Sequence, residues 1–179
     1  MGRFAAAAGC SPELEKAGLL PPGPDQPGAS RRRPADVYLP SWANGAPAAL
    51  DFAVTSPQRQ EILTQAASST GAAAIAYEAF KRDHLGTNAD CVRQGLSFIP
   101  MVAEPSGGWG PTALATFLLM ARAASVRTGQ PTSAVYRDYL QRMCVSIRRA
   151  GARAVLRRDC EDASNEPPGR SAARALVAA

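Results

Sequence analysis

The side chains best suited to chemistry are two aspartates, Asp36 and Asp51. Each lies in a short stretch of alternating residues, Ala35 to Pro40 (A-D-V-Y-L-P) and Ala48 to Ser56 (A-A-L-D-F-A-V-T-S). If the two stretches pair as strands with their large apolar residues on one face, both carboxylates emerge together on the other. Carboxylates held about 4 Å apart repel by roughly 4 kcal/mol at an effective dielectric near 20, so something must offset them. Mg²⁺, or Mn²⁺ in its place, does so naturally. Mg²⁺ takes one or two carboxylates, with water and substrate phosphates completing its shell, and such a metal activates water and stabilises charge on a phosphodiester. The plainer reading is a solvated face on which the aspartates pair with Arg31, Arg32, Arg33 or Arg59.

The elements that must position this pair are legible. Asn44-Gly45 between the two stretches is a hairpin signal. In the second strand Leu50, Phe52 and Val54 alternate with Asp51, Ala53 and Thr55; in the first, Val37 and Leu39 alternate with Asp36 and Tyr38. Opposed residues of an antiparallel pair have constant index sums. A two-residue turn at Asn44 and Gly45 makes the sum 89, and opposing Asp36 to Asp51 makes it 87. Both are odd, so either register keeps the carboxylates on one face, roughly 5 to 8 Å apart at Cβ.

Around the hairpin, Ser11 to Ala17 (S-P-E-L-E-K-A) spells a helix start, with a Ser cap and Pro at the first position. Leu20 to Arg33 is dense in Pro and Gly and reads as an arm. Gln58 to Leu85 is helical with a break near Ser68 to Gly71, and Leu96 to Glu104 is a third strand that Pro100 confines to an edge or bulge. The Gly-rich loop Gly107 to Pro111 leads into a helix over Thr112 to Thr128. A final amphipathic helix starts at Thr132, with Val135, Tyr139, Leu140, Met143 and Ile147 on its apolar stripe, and Glu161 to Ala179 reads as a loose tail. The expected class is α/β (α+β): a small mixed sheet with an antiparallel hairpin, flanked by helices. The organisation is 1–33 helix and arm, 34–129 core, 130–160 Arg-rich helix and 161–179 tail.

Composition narrows the function. At 179 residues the length favours one domain. No run approaches the roughly 18 apolar residues that span a bilayer, so membrane-spanning readings are excluded. Four dispersed cysteines and one histidine spell neither a zinc site nor a disulfide framework. No targeting segment is legible, Phe4 to Ala8 being too short an apolar run for a signal peptide. Arg outnumbers Lys 18 to 2, and Ala121 to Arg158 holds nine Arg against Asp138 alone, a net +8 that leaves −3 for the remainder of a +5 chain. An Arg-dense helix is the footprint of a phosphate-binding surface, and equally what a GC-rich coding sequence produces. Arg142, Arg149 and Arg153 fall near one side of it.

The run R-R-P-A-D-V-Y-L-P followed by A-L-D-F-A-V-T-S-P resembles the PD-(D/E)XK, restriction-like nuclease pattern. More closely, it resembles the endonuclease-type C-terminal region of non-LTR retrotransposon reverse-transcriptase proteins. The resemblance continues through A-Y-E-A-F-K-R-D-H-L (76–85), Cys91 with Gly95, and F-I-P-M-V-A-E-P-S-G-G-W-G (98–110) to the Arg-rich helix, about 130 of 179 residues. It implies a restriction-endonuclease-like fold, Asp36 and Asp51 as ligands of Mg²⁺ or Mn²⁺, phosphodiester hydrolysis on nucleic acid, DNA in the first instance, and an intracellular, nuclear site of action. The usual D/E-x-K lysine would fall at Ala53, and related endonucleases displace it to the following helix. The only lysines are Lys16 and Lys81, so Lys81 is the candidate, with Arg82 a poorer substitute because guanidinium stays protonated and delocalised. The alternative for Lys81 is an exposed residue paired with Glu78.

Other residues have two readings each. Glu104 is a further metal ligand, an acid supporting the ligands from behind, or a surface carboxylate; Trp109 stacks on a base or anchors the Gly-rich loop; His84 is a general base, or a structural or exposed ring. Relatives of the kind resembled carry an upstream reverse transcriptase and Cys/His zinc elements, neither spelled here. The chain thus reads as starting inside the first helix of the nuclease-like unit: a fragment, a degenerate copy or an independent module. The competing functional classes are a non-catalytic nucleic-acid-binding or protein-interaction remnant and a small helix-rich interaction protein.

Overall fold

A computed structural model describes residues 2–21 and 34–165. Most of the Pro/Gly arm, with Arg31 to Arg33, and the end of the tail lie outside the described residues. The elements are α1 (Gly2–Ala7), β1 (Glu13–Leu14), β2 (Val37–Leu39), β3 (Ala48–Val54), α2 (Leu63–Ser68), α3 (Ala72–Asp83), α4 (Thr87–Arg93), β4 (Ser97–Ala103), α5 (Pro111–Thr128) and α6 (Thr132–Asn165). The sheet is mixed, in the order β1-β2-β3-β4, with β1–β2 and β2–β3 antiparallel and β3–β4 parallel. The fold is thus mixed α/β, a four-stranded sheet flanked by helices.

The β2–β3 register is Val37↔Leu50, Tyr38↔Ala49 and Leu39↔Ala48, an index sum of 87, not the 89 of a two-residue turn. Its cause is local. Pro40 and Pro47 stand immediately outside the last ladder pair and lack the N–H to extend it. The chain instead crosses through a 3-10 turn at Ala43–Gly45, where Gly45 adopts φ +77 and Trp42 N–H donates to Ala46 O at 2.8 Å.

Val37, Leu39, Leu50, Ile99 and Met101 face one way and join Phe117, Met120, Val135 and Tyr139 in the main core. The opposite face is not bare. Ala49 and Phe98 pack there with Cys91 of α4, and the α3 helix lies against β4 on that side. Pro100 is accommodated because β4 is paired on one side only, at the edge of the sheet.

Two expectations need correction. The Ser11–Ala17 segment is not a helix: Glu13 and Leu14 pair with Tyr38 and Val37 as β1, and Glu15 N–H donates to Asp36 O at 2.9 Å. So short a segment has little helical stability of its own, and here the edge of β2 offers its backbone ready partners. The helix of this region is α1, upstream, where Phe4 stacks on Tyr139 at 4.2 Å between centroids. Finally, 161–165 continues α6 instead of starting a tail. Among the described residues no helix is long and apolar enough to cross a membrane.

Candidate active site

Asp36 immediately precedes β2, and its N–H still joins the ladder, donating to Leu50 O at 3.0 Å. One step further, the N–H of Phe52 has outrun the short strand. The Asp36 carboxylate takes it, Oδ2 accepting at 2.7 Å, so a side chain stands in for a missing backbone partner. Extending the 87 register by one places Asp36 opposite Asp51.

Asp51 is 21% exposed, and its Oδ2 accepts a hydrogen bond from Lys81 Nζ at 2.7 Å; the lysine is equally sheltered. Burial pushes the Asp51 carboxyl above its ordinary value, the Lys81 ammonium pulls it back, and the neighbouring Asp36 charge adds to the rise. The structure therefore brings Asp36, Asp51 and Lys81 to one place, the side of the sheet covered by α3.

Lys81 is held there by two carboxylates that pin its helix. Glu104, at the end of β4 and 7% exposed, accepts the N–H of Ala74 in the first turn of α3 at 3.3 Å. Glu78, 2% exposed, receives the first turn of α5: Thr112 N–H at 3.1 Å, Thr112 Oγ1–H at 2.7 Å and Ala113 N–H at 3.4 Å. Arg82 donates to the same Thr112 Oγ1 at 2.6 Å. Each acid thus neutralises the positive end of a helix, which aligns α3 with the sheet. The Glu78–Lys81 pairing does not form, and Glu104 is buried instead of lying on the surface. The sequence carries one signal of this, the glycines of the loop. A Cβ at Gly110 would fall on the Glu78 carboxylate, and one at Gly108 would lie 3.2 Å from Glu104 Oε2.

Trp109 is buried and packs edge-on against Phe117 at 4.9 Å, so it anchors the loop. His84 is exposed and rests on Phe80, with ring centroids 4.8 Å apart. Arg142, Arg149 and Arg153 are exposed on α6, which packs on the other side of the sheet from the acids. Arg142 is tied to Asp138 at 2.8 Å. Arg142 and Arg149 share a groove of about 660 Å³ with Arg3 and Phe4 of α1, so α1 supplies a cation that the helix pattern alone did not suggest.

No protein-family model matches the chain, no curated protein matches it, and no solved structure matches it. Among the described residues no group of three or more His, Cys, Asp and Glu side chains is placed to hold a metal. What the acids offer is a pair. Each engages Oδ2 in one contact, and a carboxylate accepts at several lone-pair positions, so one hydrogen bond does not exhaust it.

Proposed function

We propose that this chain is a retroelement-derived endonuclease-like domain with a restriction-endonuclease-like fold that hydrolyses nucleic-acid phosphodiesters, DNA in the first instance, with Mg²⁺ or Mn²⁺. One observation carries the reading: a lysine from α3, the second helix after β3, reaches within 2.7 Å of one of two aspartates that share a register position. The mixed sheet flanked by helices and the sequence resemblance support it.

The donor set fits such a cation, since two hard carboxylates lie adjacent and the remaining positions fall to water and phosphate. When bound, the metal supplies Lewis-acid stabilisation of the phosphodiester and a more acidic water. Asp36 and Asp51 would hold it. Lys81, with N–H groups beyond the one given to Asp51, would donate to a phosphate oxygen or orient the attacking water. Burial keeps Asp51 more basic than an exposed aspartate and so a stronger cation ligand. The arginines of α6 with Arg3 would contact the phosphate backbone elsewhere.

A supercoiled-plasmid nicking assay with Mg²⁺ or Mn²⁺ tests the proposal. Nicking by the parent that Asp51→Ala abolishes supports it, and equal nicking by both, or none, overturns it. A second reading, a nucleic-acid-binding or protein-interaction remnant without chemistry, is favoured by Ala53 at the usual lysine position and by the commitment of Asp36 to the Phe52 backbone. Salt-sensitive DNA binding without cleavage is its signature.

A further inference from the structure

We propose that the outer face of α3 is a stacking platform for an unpaired base of a nucleic-acid strand, beside the acidic pair. The inference rests on the nucleic-acid reading above and adds which form of the polymer the site takes. Tyr77, Phe80 and His84 form a continuous row: ring centroids are 5.4 Å apart for the first pair and 4.8 Å for the second, with interplanar angles of 33° and 31°. Phe80 remains 49% exposed and His84 is exposed, so the row presents aromatic surface to solvent.

A helix advances about 100° per residue. Measured from Tyr77, Phe80 and His84 lie roughly 60° and 20° to one side, and Lys81 roughly 40° to the other, toward the buried Glu78. The aromatic row therefore runs alongside the ammonium that Asp51 holds. Near Tyr77 and Phe80, a cavity of about 490 Å³ opens between α3 and the segment after β3, lined also by Thr55, Arg59 and Glu61.

An unpaired base matches this surface in shape and charge. Flat aromatic faces take a base of any identity by stacking. Arg59 sits over the Tyr77 ring at 5.8 Å and is joined to Glu61 at 2.6 Å, so a donor and an acceptor stand together at the rim, the two groups that base edges require. Arg59 and Lys81 flank the row as cations, and each has more N–H groups than its one carboxylate partner uses, leaving donors for the phosphates on either side of a stacked base. A blunt duplex keeps all its base faces inside the stack except those of the two end pairs, so it offers the row little to stack on.

The test is fluorescence anisotropy in EDTA with a short labelled single strand, the same strand made abasic, and the blunt duplex of equal length. Phe80→Ala should weaken the intact single strand by roughly five- to a hundredfold, leave the duplex nearly unchanged, and bind the abasic strand no worse than the parent does. Phe80→Trp should restore single-strand affinity. The abasic comparison uses the parent protein and needs no variant to fold. Parent binding that ignores both the missing bases and Phe80→Ala, or an equal loss on strand and duplex, overturns the platform and leaves the nucleic-acid reading standing. Failure of the parent to bind either polymer at low salt overturns that reading, and the platform with it.

Discussion

Removing Lys81 should expose how the acidic pair is held. At an N–O separation of 2.7 Å and an effective dielectric near 20, the Lys81–Asp51 attraction amounts to roughly 6 kcal/mol before desolvation. Desolvation of two groups that are each 21% exposed cancels most of this, leaving about 2 kcal/mol of net coupling. Lys81→Met should therefore lower stability near pH 7 by about 2 kcal/mol, or roughly 4 to 8 °C in Tm. The pH dependence gives the sharper check. The folded-state pKa of Asp51 is raised, so its contribution is fully present below the ordinary value of 3.8 and is lost as pH rises through the raised one. Without Lys81 the two influences that pull it down disappear, so the loss extends further upward in pH. Urea unfolding of parent, Lys81→Met, Asp51→Asn and the double variant should show a deficit for Lys81→Met that is large near pH 7 and shrinks near pH 4. The two single effects should sum to more than the double. Millimolar Mg²⁺ should stabilise Lys81→Met more than the parent, because the cation takes over the ammonium's role. A deficit independent of pH, or strictly additive effects, would refute the electrostatic account of the site.

Glu78→Ala strips the first turn of α5 of its carboxylate and should cost about 3 kcal/mol, seen as a fall in Tm. Gly110→Ala should do comparable damage through overpacking of the same carboxylate, although Gly110 has φ −66 and needs no glycine for its backbone. Arg3→Ala should weaken DNA binding about equally for all sequences and reduce the slope of log affinity against log salt by about one, as Arg149→Ala should.

The hairpin was legible because alternation is a strong local signal and each of two odd register sums keeps both acids on one face. The choice between 87 and 89 was not, since it depends on Pro40 and Pro47 ending the ladder before Asn44-Gly45 can form a two-residue turn. The break between α2 and α3 and the start of α6 at Thr132 follow from helix punctuation that the chain states openly. The short elements were hidden for the opposite reason. Two residues of β1 and six of α1 have no periodicity to read, and they exist because β2 offers an edge and Tyr139 a ring to pack on. The roles of Glu78 and Glu104 were illegible because a carboxylate that caps another helix is recognised by its tertiary partner, and the spacing of Glu78 from Lys81 on one helix suggested a false one.

The sheet separates the two kinds of charge that nucleic-acid chemistry would need. Asp36, Asp51 and Lys81 belong to the α3 side, whereas Arg3, Arg142 and Arg149 belong to the α1–α6 side. The sheet itself stands between the two groups, so no single phosphate can touch both. On the proposed reading, a strand engaged at the acids would have to pass round an edge of the sheet to reach the arginines, so the groove would set affinity and its salt dependence while the acids and Lys81 would act on the reacting phosphate. On that reading substitutions in the groove should appear in KM and those at Asp51 in kcat, because the two groups lie on opposite sides of the sheet.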